Sequence, residues 1–304
     1  VQEVGGCWVT HYHDDHVDGL SDLRSAFDCP IMCDRHVADV VEHPSGYFLP
    51  CISPSAATVD RVTRNAESWQ WHEYRLTAYH FPGQTLYGGG LLVEGRGSRV
   101  FFGGDSGSPT GLDDHCPANR NFLGSDRGFR RCIQLWREVQ PDMIVNQHQD
   151  RAFRFSACQL DTLDSALAVR AQILSDLLPW PDPDFGTDES WVRLFPYEQA
   201  VRADTPFRLE AQFTNHGPHP VSVQVEPVSP AGWDPCSGDR EKSIIGPSRT
   251  AGTVSTESDR PDGVARMHLV ALDARPGQYV LPVRVTWDGT YLGQFRHAIV
   301  QVEA

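Results

Sequence analysis

The chain contains no run of apolar residues approaching the roughly 18 that a membrane-spanning helix needs, so the sequence holds no helical span. Positive charge is scarce, with 26 Lys and Arg against 40 Asp and Glu, a formal net charge of −14. A surface that grips a nucleic-acid backbone needs a basic face, so this balance weighs against nucleic acid as a partner, although a metal-lined pocket could still be positive locally. There are 8 cysteines, yet no Cys-x-x-Cys pair and no structural zinc framework. Cys29 and Cys33 are the closest two; the even count permits disulfides without requiring them. Sequence ahead of the first motif is also short, since Val1 to Thr10 has room for one strand.

What is present starts with bulk. A chain of 304 residues, 40% hydrophobic and 10% aromatic, can build two packed cores. The densest chemistry is His11-Tyr12-His13-Asp14-Asp15-His16, directly after the apolar run Cys7-Trp8-Val9-Thr10. That order reads as a strand end opening into a metal-binding loop, because imidazole nitrogen and carboxylate oxygen are ligands a borderline divalent ion such as zinc prefers. Alternating histidines project to one side of an extended segment, and the Asp15-His16 pair, after the chain turns, can face a second ion.

This pattern resembles the signature of the metallo-β-lactamase-fold hydrolases. The resemblance implies that His11 and His13 bind one metal and Asp15 and His16 the other. It implies further ligands from a Pro-Gly-His-Thr-like segment, a Phe-x-Gly-Asp-like segment and a final histidine. The chain offers Phe81-Pro82-Gly83-Gln84-Thr85, Phe102-Gly103-Gly104-Asp105 and Asn146-Gln147-His148 in that order. Asp105 would bridge the two ions, relieving their mutual repulsion. The implied cofactor is zinc, one or two ions, with iron or manganese as other divalent options. The implied fold class is α+β, an αββα sandwich. Members of that family carry several strands ahead of the motif, so either an N-terminal segment is missing from the sequence or a partner chain completes the sheet.

Gln84 departs from the pattern. A neutral amide oxygen is a poorer zinc ligand than imidazole and gains nothing by deprotonation. Three arrangements follow: one metal held by Asp15, His16, Asp105 and His148; two metals, with Gln84 or water completing a weaker site; or a substitute such as His80 or His115. A fourth reading is a catalytically degenerate interaction module whose metal is structural.

Along the rest of the chain, Ser21 to Phe27 reads as a helix capped by Ser21, residues 29–33 as a buried strand, and Arg35 to Glu42 as a helix stopped by Pro44. Residues 44–68 read as a loop-rich insert. Glu73 to His80 has strand composition, and residues 91–94 and 99–102 read as a hairpin. Phe129 to Val139 has one apolar helical face, Met143 to Val145 is a strand ending beside His148, and residues 156–178 form a long helix. A Pro-Asp-rich linker then places a boundary near residue 190, giving domains 1–190 and 191–304. Beyond it the apolar period becomes two, in residues 207–213, 221–225, 267–270, 279–285 and 298–302, which suits an all-β immunoglobulin-like sandwich. The polar stretch 234–263 reads as a long loop.

The function these residues imply is metal-assisted hydrolysis of an ester, lactone, amide or phosphoester bond in a small-molecule substrate by a metal-bound hydroxide. Asp15 would also take or orient a proton of the attacking water, and Tyr12, Tyr87 and Asn119 would line the pocket. A β-sandwich joined to a hydrolase leans towards a periplasmic or secreted protein. His36, His43, His72 and the histidines after residue 200 have no spacing that lifts them above structural roles.

Overall fold

Short apolar runs bounded by turn residues become strands, and apolar residues repeating at helical spacing become helices that cover them. A computed structural model of the chain describes residues 3–112, 128–177, 191–215, 220–231, 233–235, 241–245 and 262–303. The chain divides into two compact units, Val1–Pro44 with Leu49–Asp188, and Ser45–Phe48 with Glu189–Ala304. No helix of the described residues is long and apolar enough to cross a membrane.

In the first unit the elements run β1 (Cys7–Val9), α1 (Asp14–Val17), α2 (Leu20–Phe27), β2 (Ile31–Asp34), α3 (Arg35–Glu42), β3 (Arg61–Thr63), β4 (Glu67–Trp71) and β5 (Tyr74–His80). They continue with β6 (Gly89–Gly95), β7 (Ser98–Phe102), the short pair β8 (Gly107–Ser108) and β9 (Gly111–Leu112), α4 (Gly128–Val139), β10 (Met143–Val145) and α5 (Ala157–Leu177). Strands β1, β2 and β3 make a parallel three-stranded sheet. A five-stranded sheet has the order β10-β7-β6-β5-β4, antiparallel except where β10 joins β7 in parallel.

The two sheets meet where the first motif leaves β1. The Gly89 N–H donates to the Thr10 carbonyl at 2.7 Å, and His11 bridges to Gly88. Helices α4 and α5 cover one face of the five-stranded sheet. Phe81, Leu92, Phe101 and Ile144 pack there against Phe129, Cys132, Ile133, Trp136, Leu160 and Leu167. Ser156 and Gln159 form a capping box at the start of α5: Ser156 N–H donates to Gln159 Oε1 at 2.9 Å, and Gln159 N–H to Ser156 Oγ at 3.3 Å. Helix α3 has the expected bounds, with Asp34 as its cap accepting from His36 N–H.

Two local expectations change. Helix α2 begins at Leu20 after Gly19, with no side-chain cap, so Ser21 sits inside the helix and not at its cap. Residues 44–68 are not all loop, because Arg61–Thr63 adds β3 beside β2 and Glu67 starts β4. Cys29 and Cys33, the closest pair in sequence, are both buried free thiols.

From residue 191 on, the described elements of the second unit are strands. Its strands are β11 (Val192–Phe195), β12 (Glu198–Arg202), β13 (Pro206–Phe213), β14 (Val221–Pro227), β15 (Asp234–Pro235), β16 (Glu241–Ile245), β17 (Gly263–Val270), β18 (Gly277–Trp287) and β19 (Thr290–Glu303). They form a four-stranded sheet β11-β13-β17-β15 and a five-stranded sheet β12-β19-β18-β14-β16. Alternate residues are buried in both, Leu209, Ala211, Met267 and Leu269 in one and Val223, Val225, Leu281, Val283 and Val300 in the other. That is the pattern two sheets produce when they face each other across one core. Part of the stretch 234–263 is strand and not loop, since β16 pairs with β14 and β15 with β17; residues 246–261 lie outside the described residues, as do 178–190 around the expected boundary.

Candidate metal centre

The first motif is built by a strand that ends and a helix that starts within a few residues. Strand β1 stops at Val9 and α1 begins at Asp14, so residues 10–13 cross the gap as a tight extended segment. It is pinned on both sides: His11 bridges to Gly88, His13 bridges to Ile52, and Asp14 N–H donates to the Cys51 carbonyl at 2.9 Å. His11 and His13 therefore point into the protein, both nearly inaccessible, while one turn of α1 presents Asp15 and His16 to the same space.

Asp105 follows β7 and is the hub of the site. The Nε2 atoms of His16 and His148 each lie 3.2 Å from its Oδ2, and Nε2 of His11 lies 3.7 Å from the same oxygen. Asp15 Oδ2 is 3.0 Å from His148 Nε2 and 3.6 Å from His16 Nε2. Potential ligand atoms thus fall into two groups that share Asp105: His11, His13 and Asp105, fully buried, and Asp15, His16, Asp105 and His148, with the Asp15 and His148 side chains about half exposed. One side of the site is closed by protein and the other is open to solvent.

Several residues hold these groups in place. Thr10 Oγ1 lies 3.2 Å from His11 Nδ1 and 3.4 Å from His16 Nδ1, so one hydroxyl can accept from the outer nitrogens of two rings and leave both Nε2 atoms facing Asp105. Gly104 has φ +56°, and a Cβ there would sit 3.1 Å from the Thr10 hydroxyl and 3.2 Å from His11 Nδ1, which is why the turn into Asp105 carries no side chain. Asn146, buried, donates to the Gly107 carbonyl at 2.9 Å and accepts from His148 N–H at 2.7 Å, setting the loop that delivers His148. The Gln84 N–H donates to Ser106 Oγ at 3.2 Å, tying the loop after β5 to the residue beside Asp105. A Cβ on Gly83 would fall 2.0 Å from that same Oγ.

The electrostatics suit a cation. Burial first, then the neighbouring charges of His16 and His13, hold His11 well below the usual imidazole value, and burial likewise lowers His13. Burial works to raise Asp105, yet the hydrogen bond from His16 and the surrounding imidazoles bring it below the usual carboxylate range. Neutral imidazoles around an ionised carboxylate are the protonation states that metal ligands require. Asp105 Oδ1 and His11 Nε2 are both buried without a hydrogen-bond partner, an arrangement costly to leave and relieved by a cation between them. The donor set fits a borderline divalent ion.

Residues 1–120 match the sequence model of the β-lactamase superfamily domain, a stretch that contains the first motif, Gln84 and Asp105. His148, in the same compact unit, lies beyond the matched residues. A curated relative, the hydroxyacylglutathione hydrolase of Marinomonas sp. (strain MWYL1), is 26% identical over 94 residues, 30% of this chain; the chain spans 37% of that relative's length. Among solved structures, a metallo-β-lactamase from Cronobacter sakazakii aligns with TM-score 0.42 and 16% identity over 56% of this chain and 75% of its own. The metallo-β-lactamase GOB-18 from Elizabethkingia meningoseptica aligns with TM-score 0.40 and 16% identity over 54% and 70%.

Within the first unit some expected positions move. His80 does not join His11 and His13; it lies beside Asp34 and His36. His115 and Asn119 fall outside the described residues. Tyr12 is fully buried with its ring 5.0 Å from His13 and 5.8 Å from Tyr87, so it packs behind the metal loop and does not face solvent. Thr10 and Asn146 had no role in the sequence reading; their signal was adjacency to ligand-type residues, the usual place for groups that orient ligands.

Proposed function

We propose that this chain is a metal-dependent hydrolase that adds water across an ester, lactone, amide or phosphoester bond of a small-molecule substrate. The observation that carries the reading is the convergence of three imidazole Nε2 atoms on one buried carboxylate oxygen, with a second, solvent-accessible carboxylate 3.0 Å from one of those rings. In this reading His11 and His13 hold one ion, with Gln84 the weak third ligand. Asp15, His16 and His148 hold the other, and Asp105 bridges. Zinc suits the donors, and iron or manganese would fit the same set.

A divalent ion bound there would lower the pKa of a coordinated water towards about 7 and polarise the oxygen of the scissile bond. The chain's own residues do the rest. Asp15 lies on the open side, where its carboxylate can accept a proton from the attacking water. Thr10 fixes the rings of His11 and His16, so that neither must reorient as charge develops on the substrate. The substrate enters from the Asp15 and His148 side, because His11, His13 and Asp105 are closed off by protein. The name of the Marinomonas relative, a hydrolase, supports the reaction class.

The chain is further read as two domains, 1–190 carrying the chemistry and 191–304 an immunoglobulin-like sandwich. The test is a screen of ester, thioester, lactone, amide, phosphodiester and β-lactam substrates before and after chelation. Turnover that vanishes with chelator and returns with added Zn²⁺ supports the proposal. The alternative, a degenerate module with a structural metal, draws on Gln84 standing where an imidazole is expected; it gains if chelation lowers stability and no substrate turns over.

A further inference from the structure

Away from the proposed centre, a third group of ligand-type side chains meets at the junction of β2, α3 and β5. Asp34 ends β2 and is completely buried; His36 is in the first turn of α3; His80 ends β5. Asp34 Oδ1 lies 2.6 Å from His36 Nδ1 and 3.6 Å from His80 Nδ1, and the two rings lie 3.8 Å apart at an interplanar angle of 33°. One carboxylate oxygen and one ring nitrogen from each histidine all fall within 4.8 Å of one another. These residues are separated in sequence by up to 46 positions and come from three elements, so the meeting is produced by the fold and not by a local turn.

A structural role explains only half of the carboxylate. Asp34 Oδ1 is the cap of α3, accepting from His36 N–H at 3.0 Å and from the His36 ring. Asp34 Oδ2 is buried and accepts no hydrogen bond at all. A buried charged oxygen left without a partner costs more than a helix cap returns, unless a cation compensates it. Burial works against ionisation of Asp34, yet the hydrogen bond from His36 and the neighbouring His80 imidazole hold it well below the usual carboxylate range. Both imidazoles are partly exposed, so an ion could arrive from solvent and keep water on its remaining positions.

We infer that Asp34, His36 and His80 form a second, separate binding site for a borderline divalent cation such as Zn²⁺, through two imidazole nitrogens and one carboxylate. Two imidazoles and a carboxylate with open positions are a donor set that nickel, cobalt and zinc share. The site links the end of β2 to the end of β5. The latter strand leads into residues 81–85, so an ion here would clamp the base of the loop that carries Gln84.

The inference is independent of the proposed hydrolase centre and is tested so that the two can fail separately. Full-length chain is stripped with chelator and titrated with Co²⁺, following its visible absorption and the number of equivalents bound. In Asp105→Asn, which cripples the other centre, one equivalent should persist; in Asp105→Asn/His36→Ala/His80→Ala it should be lost, with circular dichroism unchanged. In the His36→Ala/His80→Ala variant alone, one equivalent fewer than in the parent chain is expected. Equal Co²⁺ stoichiometry with and without His36 and His80 overturns the inference. Should the double substitution unfold the protein, His80→Ala alone decides: at least about a tenfold loss of affinity for the equivalent that persists in Asp105→Asn is expected, and unchanged affinity overturns the inference.

Discussion

Replacing Thr10 by valine tests the geometry of the proposed centre without touching a ligand. Valine keeps the shape of threonine, so at this buried position it leaves no cavity and removes only the hydroxyl. That hydroxyl is 3.2 Å from His11 Nδ1, within ordinary hydrogen-bond length, and 3.4 Å from His16 Nδ1, a weaker contact. Leaving the His11 nitrogen buried and unbonded costs about 1–3 kcal/mol, and the longer contact adds less. A total near 2 kcal/mol is about 30-fold in an equilibrium constant, inside the roughly 10–100-fold range typical of groups that orient metal ligands. The hydroxyl holds both rings in the orientation that turns Nε2 towards Asp105, so its loss is read in metal affinity. The assay is competition for Zn²⁺ against a chromophoric chelator. Thr10→Val is expected to bind about 30-fold more weakly and Thr10→Ser, which restores the hydroxyl, close to the parent. Binding by Thr10→Val within twofold of the parent, with an unchanged melting temperature, would refute the role assigned to this hydroxyl.

Gly83→Ala should destabilise the chain by about 1–3 kcal/mol, as overpacking does, because the new Cβ would lie 2.0 Å from Ser106 Oγ; a melting temperature equal to that of the parent would count against this packing. Native-state alkylation mapped by mass spectrometry should modify the exposed Cys51 and Cys158 and spare Cys33 and Cys132. Burial pushes the Cys33 thiol up to about 12 and Cys132 well above its usual value, so rapid labelling of either would contradict their placement. Acidification should weaken the chelated protein: with His11 and His13 lowered by burial, the unfolded chain takes up protons near the ordinary imidazole value while the folded chain does not. Stability is therefore retained above about pH 6.5 and lost progressively below it. A melting temperature in chelator that stays flat from pH 7.5 to 5.5 would go against this, and His11→Asn/His13→Asn should lose less over the same interval.

His11, His13, Asp15 and His16 were singled out by ligand type within one strand-to-helix junction, whereas Asp105 and His148, each after a short apolar strand, were named through the family resemblance; the fold brings ligand-type atoms of all six together. The strands of the second unit with clean alternation, such as residues 207–213 and 279–285, were legible from their period of two. Long-range pairing was not. Strand β3 has only three residues, Arg61-Val62-Thr63, and exists because β2 offers an edge to it; no periodicity marks so short a run. Strand β16 lies in a polar stretch and is held by its register with β14. His36 looked solitary in sequence and His80 was read as a substitute ligand for the first centre, since nothing local reveals that β5 ends beside the start of α3. The cap of α2 was placed two residues late, at Ser21 and not Gly19, because capping preference alone cannot tell a cap from an early interior position.

The central claim is that Asp105 holds the two ligand groups together around bound cations, and the most direct measurement is the number of tightly bound metal equivalents per chain in the parent and in Asp105→Asn. The account predicts that the substitution removes two equivalents and abolishes any hydrolysis, with the fold retained by circular dichroism. Equal metal content in the two proteins would contradict it.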